Sequence, residues 1–570
     1  METIIERVDD IPLLLSEFGQ GNLIGLFDEH FLPHGNWTGA SIGTVTVGFL
    51  AYILSCSDHR LSHVETWSSE RLHTLQYGLA TPLLRSKDFT DDKLGDLLDK
   101  FSDDDAWHKF EHAHNQSLIN IYNLKLGLEP IRLDAMITQS HRSVGGGFEF
   151  GYSKQHRADL PQLKTMVATL DPLSMPLHSL TVSGNQSDDI LYLPVIEKVI
   201  EDLKSSEQLF VGDSKMGSLE IRSYLQGKAH YYLVPLSKKQ CSTKQLSQYL
   251  SQQAQELIDL TDVNQKGETI VKAQAFEIAE QMEDTANEVS WIERRLVVYS
   301  PVYAKSQQKR FEDRITKAKS EIGVLLEAKQ GKKRLKTRAE IQAKVDNILK
   351  KYQVVPFIDV NINEKIILQT VRKYKNKPAS IRKKQHFTLT FTINETAKKT
   401  HLKQLGWRVY GTNAPIKQLS TIKAVECYYN EYKIEHKFNE LLNKITVLMP
   451  VYLGKPNRIK ALIRLLLLAL KYVSLMEYQV RNQLKDKKQK LKKLYQGNPN
   501  RATNQPTTNM ILRRFRNIHL TIIKIENNIK VKITGLKKIH FKIMELLNIN
   551  SNSYLGMEKL FFSCVDFSET

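Results

Sequence analysis

Three acidic residues in this 570-residue chain have the side-chain types that divalent-metal chemistry needs. They are Asp134, Asp213 and Glu435, whose carboxylate oxygens are hard donors that suit Mg²⁺ or Mn²⁺. Two such ions can activate a water or a 3′-hydroxyl and stabilise the leaving oxygen of an in-line phosphoryl displacement. Because the chain contains 62 acidic residues, spacing alone does not single out these three.

The elements predicted around these residues can bring the carboxylates together. Asp134 lies in a segment of alternating apolar and polar residues that predicts a strand, and Asp213 ends a short apolar strand. Between them the sequence predicts a hairpin and a helix, and a helix and a strand follow Asp213. Glu435 lies in a long predicted helix. This order indicates a mixed α/β core, in which strand ends and a packed helix can share one site.

Composition divides the chain into five predicted stretches. A mostly helical N-terminal domain covers 1–125, and a basic helical C-terminal domain covers 476–570. The core is predicted in two parts, 126–240 and 401–475. An insertion or accessory domain over 241–400 separates the two parts, and its Gln- and Glu-rich beginning is predicted to be helical.

The net charge of +19 is unevenly distributed. Residues 1–130 carry −11, residues 131–450 carry +14 and residues 451–570 carry +16. A basic surface of this size suits a polyanion, most commonly nucleic acid, although a solvated basic surface explains it as well. The cysteines are widely separated, which is not the pattern of a disulfide framework or a zinc site and fits a reducing cytoplasm: Cys56, Cys241, Cys427 and Cys564. The acidic N-terminus lacks the apolar run of a signal peptide.

Two further helices are predicted from local signals. Ser102 is the predicted N-cap of a helix whose first turn carries Asp103–Asp105. The most apolar stretch, Ile459–Met476, contains three basic residues at roughly helical spacing. A bilayer span tolerates such charges poorly, so this stretch predicts a buried helix with one basic edge and no membrane partner.

Several sequence segments, in their order along the chain, resemble the DDE transposases of bacterial insertion sequences that carry a YREK-type signature. RLDAMITQS resembles the first-Asp strand of the family, GYSKQHRADLPQLK the stretch after a glycine link, and SGNQSDD the segment after the hairpin. LFVGDSKMGS resembles the second-Asp strand, YYNEYKIEHKFNELL the third-acid helix, and LMPVYLGKPNRIKALIRLLLLAL the segment after that helix. The N-terminal block, with LSCSDHRLSHVETW and DDKLGDLLD, resembles the domain that commonly precedes this core. The resemblance covers most of the chain and is thin over 245–400.

The resemblance implies roles for individual residues. Asp134, Asp213 and Glu435 match the three acids of the family, and Tyr428 matches the signature tyrosine. The signature arginine and lysine hold DNA phosphates near the cut in this family. Those two positions depart from the pattern here and hold Glu431 and Leu442, while Lys433 and Lys444 lie nearby as candidate sources of charge.

Other residues are weaker candidates. Lys154, Arg157 and Lys215 can contact phosphates, although surface positions explain them equally well. Gly145–Gly147 are predicted to form a hinge, because no phosphate-binding glycine fingerprint surrounds them. The remaining candidates are predicted to serve structure: His59, Arg60, Trp107, Trp291 and Trp407.

The resemblance implies a ribonuclease-H-like mixed-sheet core split by an insertion and flanked by mostly helical domains. It also implies transposition that depends on two Mg²⁺ or Mn²⁺ ions and acts on double-stranded DNA, including the terminal inverted repeats and the target. A homodimer that pairs the ends, a hairpin intermediate and a bacterial cytoplasmic location follow from it. Two alternatives remain open: a related nuclease that does not join strands, and a decayed copy that binds DNA without cutting it.

Overall fold

The computed structural model describes residues 2–122, 124, 129–140, 144–152, 157–203, 206–252, 257–263, 269–327, 335–371, 380–430, 451–525 and 528–559. The strands are β1 (Glu2–Arg7), β2 (Ile131–Gln139), β3 (Gln162–Leu170), β4 (Met175–Ser183), β5 (Leu209–Val211), β6 (Tyr231–Pro235), β7 (Ile258–Val263), β8 (Thr269–Asp284), β9 (Val289–Tyr299), β10 (Ile358–Val371), β11 (Ser380–Ile393), β12 (Trp407–Thr412), β13 (His519–Ile525) and β14 (Asn528–Thr534).

The α-helices are α1 (Ile11–Gln20), α2 (Leu23–His30), α3 (Ile42–Cys56), α4 (Val64–Ser69), α5 (Leu72–Gly78), α6 (Asp91–Phe101), α7 (Asp104–Ile121), α8 (Asp189–Leu203), α9 (Leu219–Gly227), α10 (Thr243–Ser251), α11 (Pro301–Gly323), α12 (Arg338–Lys351), α13 (Glu395–Gln404), α14 (Thr421–Tyr429), α15 (Pro456–Asp486), α16 (Thr508–Arg514), α17 (Lys538–Leu546) and α18 (Asn552–Leu555). None of them, within the described ranges, has the length and apolar character of a membrane-spanning segment.

The chain forms two compact units. The first comprises Met1–Val234, Glu283–Trp291 and Cys427–Thr570, and the second comprises Pro235–Met282 and Ile292–Glu426. The five-part division drawn from composition stays a prediction. The mixed α/β character predicted for the core is confirmed.

The first unit contains a large mixed sheet with the strand order β4-β3-β2-β5-β6. β2 pairs antiparallel with β3, and β3 pairs antiparallel with β4. On the other side, β2 pairs parallel with β5, and β5 pairs parallel with β6. β3 is buried along its whole length, because its β-branched and apolar residues face packed elements on both sides. The predicted strand at Asp134 and the predicted hairpin are both confirmed.

The long helix α15 supplies much of the core beside this sheet. Its apolar residues from Ile459 to Met476 are buried, and the helix packs on β4 and α6. The basic residues within this stretch of α15 contact polar side chains of α7. Lys460 and Arg464 form ion pairs with Asp104, and Lys471 donates a 2.6 Å hydrogen bond to Asn115 Oδ1. The predicted buried helix with a basic edge is therefore confirmed.

The N-terminal region is helical from α1 to α7, with one correction to its predicted caps. Asp103, and not Ser102, is the N-cap of α7, because the Asp103 carboxylate accepts hydrogen bonds from two backbone N–H groups of the first turn. Ser102 instead follows the last residue of α6. Trp107 is buried, as predicted.

Strands also occur at both ends of this unit, where the sequence indicated mostly helix. β1 pairs with β13, and β13 pairs with β14, all antiparallel. These strands are short, and their apolar residues alternate with basic ones in β14, for example Lys530 and Lys532 beside Val531 and Ile533. This alternation of apolar and basic residues, with a period of two, is typical of a strand.

The second unit has its own strands and helices. β8 lies between β9 and β7, and β12 pairs antiparallel with β9. The segment as far as about Arg295, predicted to be helical, therefore consists largely of β7, β8 and β9 after the short helix α10. Its Gln and Glu residues favour helix only weakly, while pairing with β7 and the burial of Ala273, Ala275 and Phe276 favour a strand. Trp407 lies on β12, as predicted.

Candidate metal site beside the central strands

Asp134 and Asp213 lie side by side on neighbouring strands. The parallel pairing of β2 with β5 aligns Ile131 with Phe210 and Arg132 with Val211. Continued by two residues, the same register places Asp213, just after β5, next to Asp134 in β2. Both residues are half-buried. Two residues that the sequence predicted to act together therefore lie at neighbouring positions, one in β2 and one just beyond the end of β5.

Tyr192 of α8 holds the carboxylate of Asp213. Its O–H donates a 2.8 Å hydrogen bond to Asp213 Oδ1, and the backbone N–H of Lys215 donates another of 2.8 Å to the same oxygen. Tyr192 is almost completely buried. Burial raises the pKa of its phenol, and the negative charges of Asp213 and then Asp134 raise it further. The phenol therefore stays a hydrogen-bond donor, and its electrostatic environment includes both carboxylates.

Arg132 lies two residues before Asp134 and so on the same face of β2. Its Nε donates a 2.7 Å hydrogen bond to Asp171 Oδ2, and both side chains are buried. One terminal nitrogen donates to the Cys427 backbone oxygen at 2.8 Å. Tyr428, the predicted signature tyrosine, follows Cys427 directly and is half-buried. Arg132 thus ties the segment that begins at Cys427 to the strand that carries Asp134.

Of the remaining predicted site residues, the structure describes Arg157 and Lys215. Arg157 is exposed, and its guanidinium forms a fork with Asp159 at 2.8 and 2.9 Å, which raises the pKa of Arg157. Lys215 is partly exposed. The others lie outside the described residues: Glu435, Lys154, Lys433 and Lys444, together with Glu431 and Leu442.

The structure adds residues that the sequence did not single out as a site. Asp188 accepts Lys164 at 2.5 Å and Lys215 at 2.6 Å, one on each carboxylate oxygen. Burial opposes the charge of Asp188, but the two lysines outweigh it and lower the pKa of that carboxyl. The segment SGNQSDD, which resembles the family, contains Asp188 and was the available signal. Nothing in the sequence pointed to Tyr192.

A cavity of about 590 Å³ occurs elsewhere in the first unit, and neither Asp134 nor Asp213 lines it. Its lining includes Asp58, His59, Arg60 and Tyr452. Arg60 binds Asp58 through its Nε and a terminal nitrogen, with distances of 2.9 to 3.0 Å, which indicates a structural ion pair. Volume alone does not mark a site, and this cavity contains none of the predicted acids.

The donor chemistry of Asp134 and Asp213 fits a hard divalent cation. Two adjacent carboxylates offer oxygen ligands only, which suit Mg²⁺ and Mn²⁺ better than softer metals. Across the part of the chain that the structure describes, no three His, Cys, Asp or Glu side chains are grouped to hold a metal ion. The predicted third ligand, Glu435, lies outside that part.

Paired carboxylates on a mixed α/β sheet define a candidate site for phosphoryl chemistry, and comparison with known proteins gives the family. The sequence matches the transposase DDE domain over residues 131–471, so the chain belongs to that family. No curated protein matches the chain significantly. Among solved structures, it is similar to the cryo-EM structure of a piggyBac transposase synaptic complex with hairpin DNA. That match has 10% identity and a TM-score of 0.22 and covers 50% of this chain and 55% of the other, so the chain spans about half the length of that structure.

Proposed function

We propose that this chain is a cut-and-paste transposase that cleaves DNA at the ends of a mobile element and transfers the strands into target DNA. The observation that carries the proposal is the adjacency of Asp134 and Asp213 at the β2–β5 pair, within a transposase DDE domain. The strand order β4-β3-β2-β5-β6, antiparallel on one side of β2 and parallel on the other, supports a ribonuclease-H-like core.

Each site residue has a role in this proposal. Asp134, Asp213 and Glu435 would hold two ions of Mg²⁺ or Mn²⁺. The bound cations would supply the charge that activates the attacking water or 3′-hydroxyl and stabilises the leaving oxygen. Tyr192 orients the Asp213 carboxylate through its hydrogen bond. Catalysis then depends mainly on positioning and on stabilising charge in the transition state.

DNA contacts are assigned to basic and signature residues. Lys215 lies beside Asp213 and is the described lysine best placed to meet a phosphate near the scissile bond. Tyr428, Lys154, Arg157, Lys433 and Lys444 complete the proposed DNA-binding set. The proposed partners are the terminal inverted repeats and the target DNA, bound by a homodimer. The proposed location is the bacterial cytoplasm, and the proposed group is the one with the YREK signature and its N-terminal domain.

A cleavage assay tests the function. The full-length protein is incubated with DNA that carries the flanking inverted repeat and Mg²⁺ or Mn²⁺. We expect nicked and joined products from the natural chain and none from Asp134→Asn, Asp213→Asn or Glu435→Gln. Glu197→Gln, which removes an exposed carboxylate from α8, is the matched control and should retain full activity. Cleavage by both aspartate variants at the natural rate would refute the metal-ligand assignment.

A second candidate function rests on the two departures from the signature. Glu431 and Leu442 replace the basic residues that hold DNA phosphates in the family, which favours a decayed copy that binds DNA without cutting it. In the same assay such a copy retards the DNA in a gel and yields no product with any metal. A nuclease without strand transfer would give cleaved but never joined product.

A further inference from the structure

A polar cleft opens next to the two aspartates in the first unit. Its volume is about 250 Å³, and its walls come from β2 and β3, from the segment after β4 and from the segment after β5. Ala135, the residue after Asp134, lines it, as does Lys215, two residues after Asp213. Because successive side chains of a strand point to opposite faces, Ala135 and Ile137 face away from the Asp134 side chain. The cleft meets the proposed metal ligands through Lys215, whose backbone N–H contacts Asp213. The size of the cleft suits a single nucleotide rather than a duplex.

Two lysines and one carboxylate form one wall of this cleft. Lys164 is 7% exposed; its ammonium forms an ion pair of 2.5 Å with Asp188 Oδ1 and donates a 2.5 Å hydrogen bond to the Gln186 backbone oxygen. Lys215 donates to the other oxygen of Asp188 at 2.6 Å, yet its side chain is 44% exposed. Asp213 and Asp189 also act on Lys215, so carboxylates balance the two ammonium groups, and the exposed positive group of the cleft is the Lys215 ammonium.

Tyr152 also lines the cleft, and its backbone is held firmly. Gln162, fully buried in β3, donates from Nε2 to the Tyr152 oxygen at 3.0 Å. A Cβ on Gly151 would lie 2.1 Å from the Gly184 oxygen, so only glycine allows this close approach. The Tyr152 side chain nevertheless is 82% exposed. A fixed backbone that presents an exposed aromatic ring to a polar cleft is the arrangement of a ligand contact.

We propose that this cleft binds one nucleotide of the substrate DNA strand, with its phosphate at Lys215 and Lys164 and its base or sugar against the Tyr152 ring. A phosphate can accept hydrogen bonds from the exposed Lys215 ammonium, and an aromatic face stacks on any base without regard to sequence. Asp188 is a positioning residue that holds both ammonium groups at one point. The inference rests on the proposed function for the identity of the strand, but its own test needs no catalysis.

The test is the binding of a short, fluorescein-labelled single-stranded oligonucleotide to the full chain in EDTA, followed by fluorescence anisotropy. Lys215→Gln and Tyr152→Leu change exposed side chains, so both should fold. Each should weaken binding about tenfold, and Tyr152→Phe should bind as the natural chain does. Lys215→Gln should also make the dependence of log K on log salt shallower by about 0.7. Lys87→Gln removes an exposed lysine elsewhere in the unit and is the matched control.

The Asp188→Asn variant distinguishes a role of Asp188 in positioning the two lysines from a purely electrostatic effect of its charge. The substitution makes the protein more positive, so a purely electrostatic surface would bind the oligonucleotide more tightly. If Asp188 positions the lysines, binding weakens instead. Equal dissociation constants for Lys215→Gln and Lys87→Gln, or no binding by the natural chain, would overturn the inference. The cleavage assay on the natural chain tests the proposed function separately. Whether or not cleavage occurs there, the dissociation constants of the variants can still be compared.

Discussion

The phenol of Tyr192, on α8, and the backbone N–H of Lys215 donate to the same oxygen of Asp213, each at 2.8 Å. These two bonds fix the carboxylate without engaging Oδ2. A buried donor that cannot easily lose its proton is suited to this role, because burial and the neighbouring carboxylates raise the pKa of Tyr192. A partner of this kind around a metal ligand sets the orientation of the ligand and with it the affinity for the metal.

Tyr192→Phe removes the hydrogen bond and keeps the ring. We expect the Mg²⁺ concentration needed for half-maximal cleavage to rise by about tenfold, because the loss of an orienting partner commonly costs 10- to 100-fold in metal affinity or activity. The measurement is a titration of cleavage rate against Mg²⁺. Tyr231→Phe is the control, since Tyr231 donates to Glu207 at 3.0 Å away from the aspartates. An unchanged midpoint for Tyr192→Phe would mean that its hydrogen bond does not affect metal binding.

Arg132 is expected to matter for both stability and activity. Arg132→Ala leaves the buried carboxylate of Asp171 without its charged partner, which should lower the free energy of unfolding by about 3–5 kcal/mol. Arg132→Lys keeps the charge but cannot donate to both Asp171 and the Cys427 carbonyl in the same geometry. We therefore expect the lysine variant to retain most of its thermal stability and to lose cleavage activity.

Thermal unfolding and cleavage rate, measured on the same preparations, check this prediction. Arg157→Ala is the control for stability, because the Arg157–Asp159 pair is exposed and should change the melting temperature little. If Arg132→Lys cleaved as well as the natural chain, the tie between β2 and Cys427 would have no part in the reaction.

The sequence predicted the strands near the aspartates well because their signals are local. Alternation around Asp134 and the short apolar run before Asp213 each follow from the period of a strand, and the hairpin between them needed only neighbouring residues. The register that sets Asp134 beside Asp213 is a long-range property. This register depends on packing between β2 and β5, and only the resemblance to the transposase family indicated it from the sequence.

Other features could not be predicted because tertiary contacts decide them. The Gln- and Glu-rich strand β8 has residues that favour helix, but pairing and burial on one side outweigh that weak preference. Asp188 gains its role from Lys164 on β3 and Lys215 after β5, which are distant from each other in the sequence. Tyr192 is one apolar position among many in α8 until the fold places Asp213 against it.

DNA affinity should fall steeply with salt, because the net charge is +19. Lys530 and Lys532 are both exposed on β14, on one face of the strand, and are candidate phosphate contacts in the basic C-terminal region. The double variant Lys530→Gln/Lys532→Gln should reduce the slope of log K against log salt by about 2. The measurement is duplex binding at several salt concentrations, with Lys87→Gln/Lys228→Gln as the control. Equal slopes for the two double variants would remove β14 from the DNA-binding surface.

A buried ionic cluster supports the packing of α7, β4 and α8. His178 lies between Glu111 and Asp202, with 2.6 Å from its ring nitrogens to each carboxylate. Lys471 and Asn115 adjoin the same cluster. Burial alone would lower the pKa of His178, but the two carboxylates outweigh it and raise the pKa from 6.5 to about 9. Although burial works against Asp202, its hydrogen bonds and the charge of His178 lower its pKa to about 2.

The raised pKa of His178 predicts how stability depends on pH. Since the folded pKa lies above the unfolded one, the contribution is fully present below pH 6.5 and is lost as the pH rises through about 9. A shift of this size corresponds to about 3 kcal/mol. His178→Gln should therefore lower the melting temperature at neutral pH and flatten its decline across this range, because no proton then links the two carboxylates. Thermal unfolding at a series of pH values measures this, with the exposed His34→Gln as control. A natural chain whose melting temperature did not fall over this range, or a His178→Gln variant with the same decline, would show that His178 is not charged in the folded protein. In that case Lys471 and His112, which contacts Asp202 at 2.5 Å, would have to balance Glu111 and Asp202.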